Sequence, residues 1–416
     1  MLKYNVIIIG AGPSGLMLAN QLKDSNLNVL IVEKRDTINK LDNNIFATFR
    51  DTIEKFDLEN SIINDLPRIQ FYGPSSSVKF SFEEKPLAVI DLDKWVKNLK
   101  LNCDVKINCE IIACKKSETG VIIKDSKNNE FFGKIVVDCS GNSQIVSDSM
   151  KYDKSSIYYV CYGLIVENCE IPDFEEGSLN ADFKYTNAGG WLYPFSKTKC
   201  QVGIGDFLPY KSDYKVDIKE RTLDMIKNFE PYKSWLKNGK VVSEVYKKAP
   251  MIMPHQHMIQ NNLILVGDAG GQTTPFLGER IRPAFEMADI SARVIQEAFK
   301  KNDFSRDTLK EIEKEWMKLF GNSYVWSIII RHIWAHEFTN DDINDLISNL
   351  QNLSREKFYD FLRSDIHLDL LYDIIDFKIN EDVIVNFFKI HISHFNLFKE
   401  KEKILEIPSL PKNKVK

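Results

Sequence analysis

The chain is poor in three things that would each declare a class of protein. Seven cysteines are spread through 416 residues with no C-x-x-C pair among them, which argues against both a disulfide framework and a zinc site. Cys103, Cys109 and Cys114 alternate with apolar residues in CDVKINCEIIAC and read as small buried thiols of a strand and turn. The formal net charge is −4 and no basic block occurs, so the electrostatic footprint of a nucleic-acid-binding protein is missing. Long apolar runs are missing too. The opening stretch MLKYNVIIIGAG carries an apolar run of six residues that ends in a glycine turn, too short for a signal segment or a membrane span. What remains is a globular chain, expected in the cytoplasm, whose 44% hydrophobic content can fill two or three cores of ordinary size.

Against these absences the first thirty-five residues are dense with signal. In YNVIIIGAGPSGLMLANQLKDSNLNVLIVEKR a β-branched strand, Val6 to Ile9, runs into Gly10, Ala11, Gly12, Pro13, Ser14 and Gly15. Leu16, Ala19 and Leu22 follow at helical spacing, and a second strand, Val29 to Val32, ends in Glu33 and Lys34. The G-x-G-x-x-G glycines have separate tasks: Gly10 makes the turn, Gly12 lets the backbone approach a pyrophosphate, and Gly15 allows close helix–strand packing. The pyrophosphate then sits on a helix N-terminus, where free N–H groups and the dipole favour an anion. Glu33 stands where it can accept hydrogen bonds from ribose hydroxyls. The unit predicts dinucleotide binding and leaves NAD and FAD both open.

Two distant segments bear on that choice. KIVVDCSGNS is another apolar strand running into Asp138 and Gly141, and NNLILVGDAGG is a third, ending in Gly267 and Asp268. Small and acidic residues at the ends of well-separated strands suggest one sheet with a ligand lying across those ends. With these residues in order the chain resembles the FAD-dependent oxidoreductases that include p-hydroxybenzoate hydroxylase. The resemblance implies an α/β fold: a Rossmann-like FAD-binding domain of glutathione reductase type, with FAD as cofactor. It also implies that Asp268 meets the ribityl chain and that the loop through Pro275, Gly278 and Arg280 passes the isoalloxazine ring.

Within that family, GGWLYPFSKTKCQVGIGD resembles the Y-x-W-x-F-P motif of geranylgeranyl reductases, with Trp191, Tyr193 and Pro194 in the substrate positions and Gly189 in place of the first aromatic. The stretch from Asn43 to Ile62 resembles a segment of lycopene cyclases, and GERIRPAFEMA resembles the G-E-G-I-R-P-A stretch of reductase-like members, with Arg280 where relatives carry glycine. The departures narrow the function. Cyclases carry a glutamate pair where this chain reads VGIGD, leaving Asp206 alone, and Gln144 and Ser147 replace the Ser and Arg that usually follow the Asp-Gly motif of hydroxylases. Pro283 is expected to open the helix that follows Arg280 and Arg282.

The same anchors set the organisation. FAD-binding segments at 1–70, 88–155 and 255–300 are interrupted by strand-rich substrate segments at 71–87 and 156–254, an antiparallel β-sheet domain roofing the flavin. Residues 301–416 form a helical C-terminal domain, ending in a frayed tail, IPSLPKNKVK. Its cluster Trp326, Ile328 to Ile330, Ile333 and Trp334 reads as core packing, with membrane contact as the alternative. His332 and His336 stand four apart without a third ligand, so no metal is expected. The resemblance implies a reductase that saturates C=C bonds of a geranylgeranyl-type lipid, fed by NADPH or a ferredoxin-like donor, with contact at the periphery of a membrane. The catalytic residues are not visible, since in such chemistry the cofactor does the redox step. The competing readings are a flavin monooxygenase or halogenase, a lycopene cyclase-like enzyme and a non-catalytic FAD-binding scaffold or redox sensor. No partner of nucleic acid type is expected.

Overall fold

The computed structural model describes residues 2–41, 45–150, 158–208, 217–250, 258–336 and 338–375. The chain opens with β1 (Leu2–Ile9), α1 (Pro13–Leu22) and β2 (Val29–Val32). Val6 to Ile9 are each at most 4% exposed, because a central parallel strand is covered on both faces and must be apolar throughout. β1 lies between β2 and β3 (Glu130–Asp138), both parallel to it, with Val6 opposite Val29 and Ile135. The short strand Asp104–Lys106 continues the sheet beyond β2, and the hairpin Ile111–Lys116 with Val121–Asp125 pairs antiparallel onto β3. Ile9, Val32 and Asp138 therefore end at one edge of the sheet.

A second, seven-stranded sheet contains β4 (Tyr158–Glu167), β5 (Gly189–Ser196), β6 (Lys199–Leu208) and β7 (Lys240–Pro250) in the order β7-β4-β6-β5. It continues through Glu176–Asn180, Arg68–Tyr72 and Ser77–Ser81. Strand parity sorts its residues. Tyr162, Leu164 and Val166 of β4, Leu192 of β5, and Val202 and Ile204 of β6 pack with Met225 and Tyr232 into a core on one face. Residues of the opposite parity are left for the other face. A small three-stranded sheet, Ile45–Phe49, Leu87–Asp91 and Ile62–Leu66, touches β5.

The chain then returns to the first sheet. β8 (Leu263–Leu265) pairs in parallel with β3 and delivers Gly267 and Asp268 to the same edge. After a loop comes α2 (Ile281–Lys301), which packs along α1. The expected start at Pro283 is corrected: α2 begins at Ile281 with Arg280 as its N-cap. The carboxylate of Glu279 accepts the N–H of Arg282 at 2.7 Å, which supplies a first-turn partner two residues earlier. Pro283 still sits where a helix lacks an internal acceptor for the missing N–H.

The C-terminal helices pack onto the second sheet. In α3 (Asn322–His336) the residues Ile328, Ile329, Ile330, Ile333 and Trp334 of the cluster weighed as a membrane contact are buried, while Trp326 is half-buried. The indole N–H of Trp334 donates to the carbonyl of Asn187 at 3.0 Å, and Phe358 stacks on Phe80 at 3.6 Å between ring centroids. Among the described residues no helix is long and apolar enough to cross a membrane, and no cluster of side chains suits a metal ion. Asn43, Asn44, the side chain of His336 and the tail IPSLPKNKVK lie outside the described residues.

A two-part cleft as candidate active site

The edge where β1, β2, β3 and β8 end opens into a cleft lined by Gly10, Gly12, Pro13, Ser14, Glu33 and Lys34, with Asp268 and Arg280 across from them. Gly10 takes a φ of +98°, and a Cβ there would lie 2.6 Å from the carbonyl oxygen of Cys139. Gly15 faces inward, where a Cβ would lie 2.0 Å from the carbonyl of Gly10. Gly12, the N-cap of α1, is different: a Cβ there would meet no protein atom within 4 Å, and no side chain caps the helix. The helix thus presents bare backbone and its positive end to open space, which fits a pyrophosphate.

Ala11, Gly15 and Gly267 build the cleft from behind. The Ala11 N–H donates to Glu33 at 2.7 Å, and a Cβ on Gly267 would press on Ser14 Oγ at 2.3 Å. Glu33 is also held by the Arg35 N–H at 2.9 Å and by its guanidinium. Burial opposes its ionisation, yet the hydrogen bonds from Arg35 and Ala11 and the Arg35 charge hold its carboxyl below the usual range. Arg35 lines the cleft and went unread in the sequence, although it directly follows Glu33 and Lys34. Asp138 is wholly buried and accepts the N–H groups of Ser140 and Val146 at 2.8 and 3.0 Å. It shapes the loop whose Ser140, Gly141 and Ser143 line the cleft. Asp268 accepts from the Thr273 hydroxyl at 3.0 Å and pairs with the Arg280 guanidinium at 3.3 Å.

A second, apolar cavity adjoins the first. Trp191 and Tyr193 of β5 line it with Tyr159, Cys161 and Gly163 of β4, all of the parity that faces away from the sheet's packed core. Glycines let the aromatics lie against the sheet: a Cβ on Gly203 would meet the Trp191 ring at 2.6 Å, and one on Gly205 would meet the Tyr159 hydroxyl at 2.0 Å. Gly189, at φ +104°, has the left-handed backbone that a bulky residue in the first motif position would resist. Gly278 lines the cavity beneath Tyr159. Phe46, Lys247, Arg280 and Ile281 line both cavity and cleft and so mark where they meet.

Two expected contacts are corrected. Pro194 has the opposite parity to Trp191 and Tyr193, is buried, and gives its carbonyl to the Asn64 side chain at 3.0 Å. Pro275 lines neither space, and its carbonyl accepts from buried Arg331 at 3.3 Å. Arg282 is committed elsewhere, to Asp365 at 3.1 Å and to the carbonyl of Arg363 at 2.6 Å. Asp206 is buried against Arg221 and does not line the cavity, which removes it as an acid for polyene cyclisation.

Comparison with known proteins agrees with this geometry. Residues 7–146 match the family described as pyridine nucleotide-disulphide oxidoreductase. A digeranylgeranylglycerophospholipid reductase of Methanosarcina acetivorans is 25% identical over 395 residues, covering 87% of this chain and 92% of the relative. One of the same name from Methanocaldococcus jannaschii is 24% identical, covering 75% and 82%. The crystal structure of a geranylgeranyl bacteriochlorophyll reductase-like protein from Thermoplasma acidophilum superimposes with a TM-score of 0.79 at 19% identity, over 94% of this chain and 99% of that one. The halogenase PltM, solved with FAD, gives 0.65 at 15% identity over 86% and 82%.

Proposed function

We propose, from the premise that this chain belongs to the FAD-dependent oxidoreductases, that it saturates carbon–carbon double bonds of a geranylgeranyl-type lipid. The observation that carries this reading is the junction: a cleft fit for a dinucleotide opens, through Phe46, Lys247, Arg280 and Ile281, into a cavity walled by Trp191, Tyr193 and Tyr159. The bare backbone at Gly12 and the α1 N-terminus would hold the pyrophosphate, Glu33 a ribose and Asp268 the ribityl chain, with Gly278 and Arg280 beside the ring. FAD, once reduced, supplies the hydride. The protein's part is to exclude water and align an apolar chain. The geranylgeranyl substrate agrees with the names of the relatives.

A lipid of this kind is met at a membrane surface, and the electrons come from NADPH or a ferredoxin-like protein. Anaerobic bleaching of the flavin by one donor and not the other identifies the source. The decisive experiment incubates dithionite-reduced protein with geranylgeranyl lipids and follows their mass. Hydrogen gained by the lipid supports the reading, and Trp191→Ala should abolish that gain with the flavin spectrum intact. An oxygenated product, an isomer of unchanged mass or no product from fully reduced protein would overturn it.

A further inference from the structure

The two ends of the apolar cavity differ in polarity. Its charged lining residues, Lys247, Glu279 and Arg280, belong to the end that meets the cleft: Lys247 stands opposite Cys161 in the sheet register, and Gly278, which precedes Glu279, lies beneath Tyr159. Away from that end the rows of β4 and β6 run through Gly163 and Gly203, against the Trp191 ring, to Ile165 and Gln201. Gln201 is four positions along β6 from Gly205, the partner of Cys161, so the two rows lie about 13 Å apart at roughly 3.3 Å per residue.

Gln201 went unread in the sequence. It is 5% exposed and lines the cavity, with the parity of Gly203 and Gly205 and opposite to Val202 and Ile204, which fill the packed core. Its side-chain amide has no hydrogen-bond partner among the described residues, and neither amide atom is sealed from the cavity. Tyr193, its partner in the β5 register, also carries a hydroxyl without one. Most buried polar groups are paired, and an amide left bare by an apolar occupant costs free energy that a methionine of the same length would not. An occupant with an oxygen at this height completes the amide, whereas a pure hydrocarbon does not. A charged group is unsuited there, because the cations lining the cavity are at the other end and a buried ion needs a partner.

We propose that Gln201 binds an uncharged oxygen of the substrate, a hydroxyl, ether or carbonyl, at the end of the cavity remote from the cleft, an assignment that rests on the reductase reading. The amide can donate to such an oxygen or accept from it. This contact sets how far the isoprenoid chain reaches toward the cofactor, and therefore which double bond lies beside it. Gln201 determines specificity and takes no part in the chemical step.

The test titrates oxidised, FAD-loaded protein with geranylgeraniol and with the corresponding hydrocarbon lacking the hydroxyl, both in the same mixed micelles, by calorimetry. The ratio of the two affinities is compared between wild type and Gln201→Met, which cancels how each lipid partitions into the micelle. Gln201→Met should shift that ratio about 10-fold or more toward the hydrocarbon, with FAD affinity unchanged and the urea midpoint no lower than that of wild type. Gln201→Leu should behave alike. In dithionite-reduced protein the wild type should saturate the double bonds of geranylgeraniol in a fixed order, read from product fragmentation by mass spectrometry, and Gln201→Met should give a mixture. A folded, FAD-loaded variant that keeps the wild-type affinity ratio, or one that keeps the order of saturation, would overturn the assignment and leave the reductase reading standing. A reduced wild type that saturates no lipid would instead take down the reductase reading, while the affinity ratio still decides whether Gln201 recognises the oxygen.

Discussion

The cleft and the cavity that adjoins it are built from different materials. The cleft is made by backbone: Gly10 and Gly15 are tight against neighbouring carbonyls, Gly12 is bare, and a helix N-terminus stands behind it. The cavity is made by side chains of one strand parity, laid across a sheet whose Gly163, Gly203 and Gly205 make room for them. Backbone geometry depends on a few local residues, so the cleft is written in one short motif. Side-chain walls depend on which face of a sheet is covered, and that is decided by helices distant in the chain, such as the one bringing Met225 to the opposite face.

This contrast can be pressed by substitution, beginning with the largest effect. Arg221→Ala leaves Asp206 buried and unpaired at the far end of β6. It should cost about 3–5 kcal/mol, read from the urea midpoint of flavin-free protein, while the folded fraction binds FAD as before. Gly12→Asp tests the bare backbone. An Asp at an N-cap suits the helix and meets no protein atom at its Cβ, so stability should hold, whereas its charge opposes a pyrophosphate. FAD affinity should fall about 100-fold, roughly 2.7 kcal/mol, by titration of flavin fluorescence.

Glu33 belongs to both fold and cleft. Its carboxyl is lowered in the folded protein from the ordinary value of 4.5. The stabilisation is therefore fully present above that value and is lost as pH falls through the lower folded one. Wild type should exceed Glu33→Gln by about 1.5 kcal/mol at neutral pH, within the range for a charged hydrogen bond, and the gap in denaturation midpoints should close on acidification. The smallest effect on stability belongs to Arg280→Gly. A part-exposed pair such as Arg280 with Asp268 contributes under about 1 kcal/mol. The informative readout tests the proposed place of Arg280 beside the ring: the flavin reduction potential should fall on its loss with FAD occupancy unchanged. Tighter FAD binding on this substitution would instead identify Arg280 as an obstruction.

Local pattern in the chain was enough to specify the strand, glycine turn and helix of the first unit, the return of Gly267 and Asp268 to the same sheet, and the alternation of β4 and β6. These features depend on periodicity and on backbone conformations that few residues tolerate, and both are visible in a short window. The same parity rule, applied to β5, would have separated Pro194 from Trp191 and Tyr193, which the motif resemblance grouped together. Which charges meet was settled by packing instead. Arg282 finds Asp365 across 83 positions of chain, and Lys247 and Phe46 converge at the junction from separate sheets. Glu279 faces Arg282 Nε at 3.6 Å without a hydrogen bond, because that guanidinium is turned to Asp365. No spacing encodes such partners, since each depends on how distant elements pack and on how much water that packing expels.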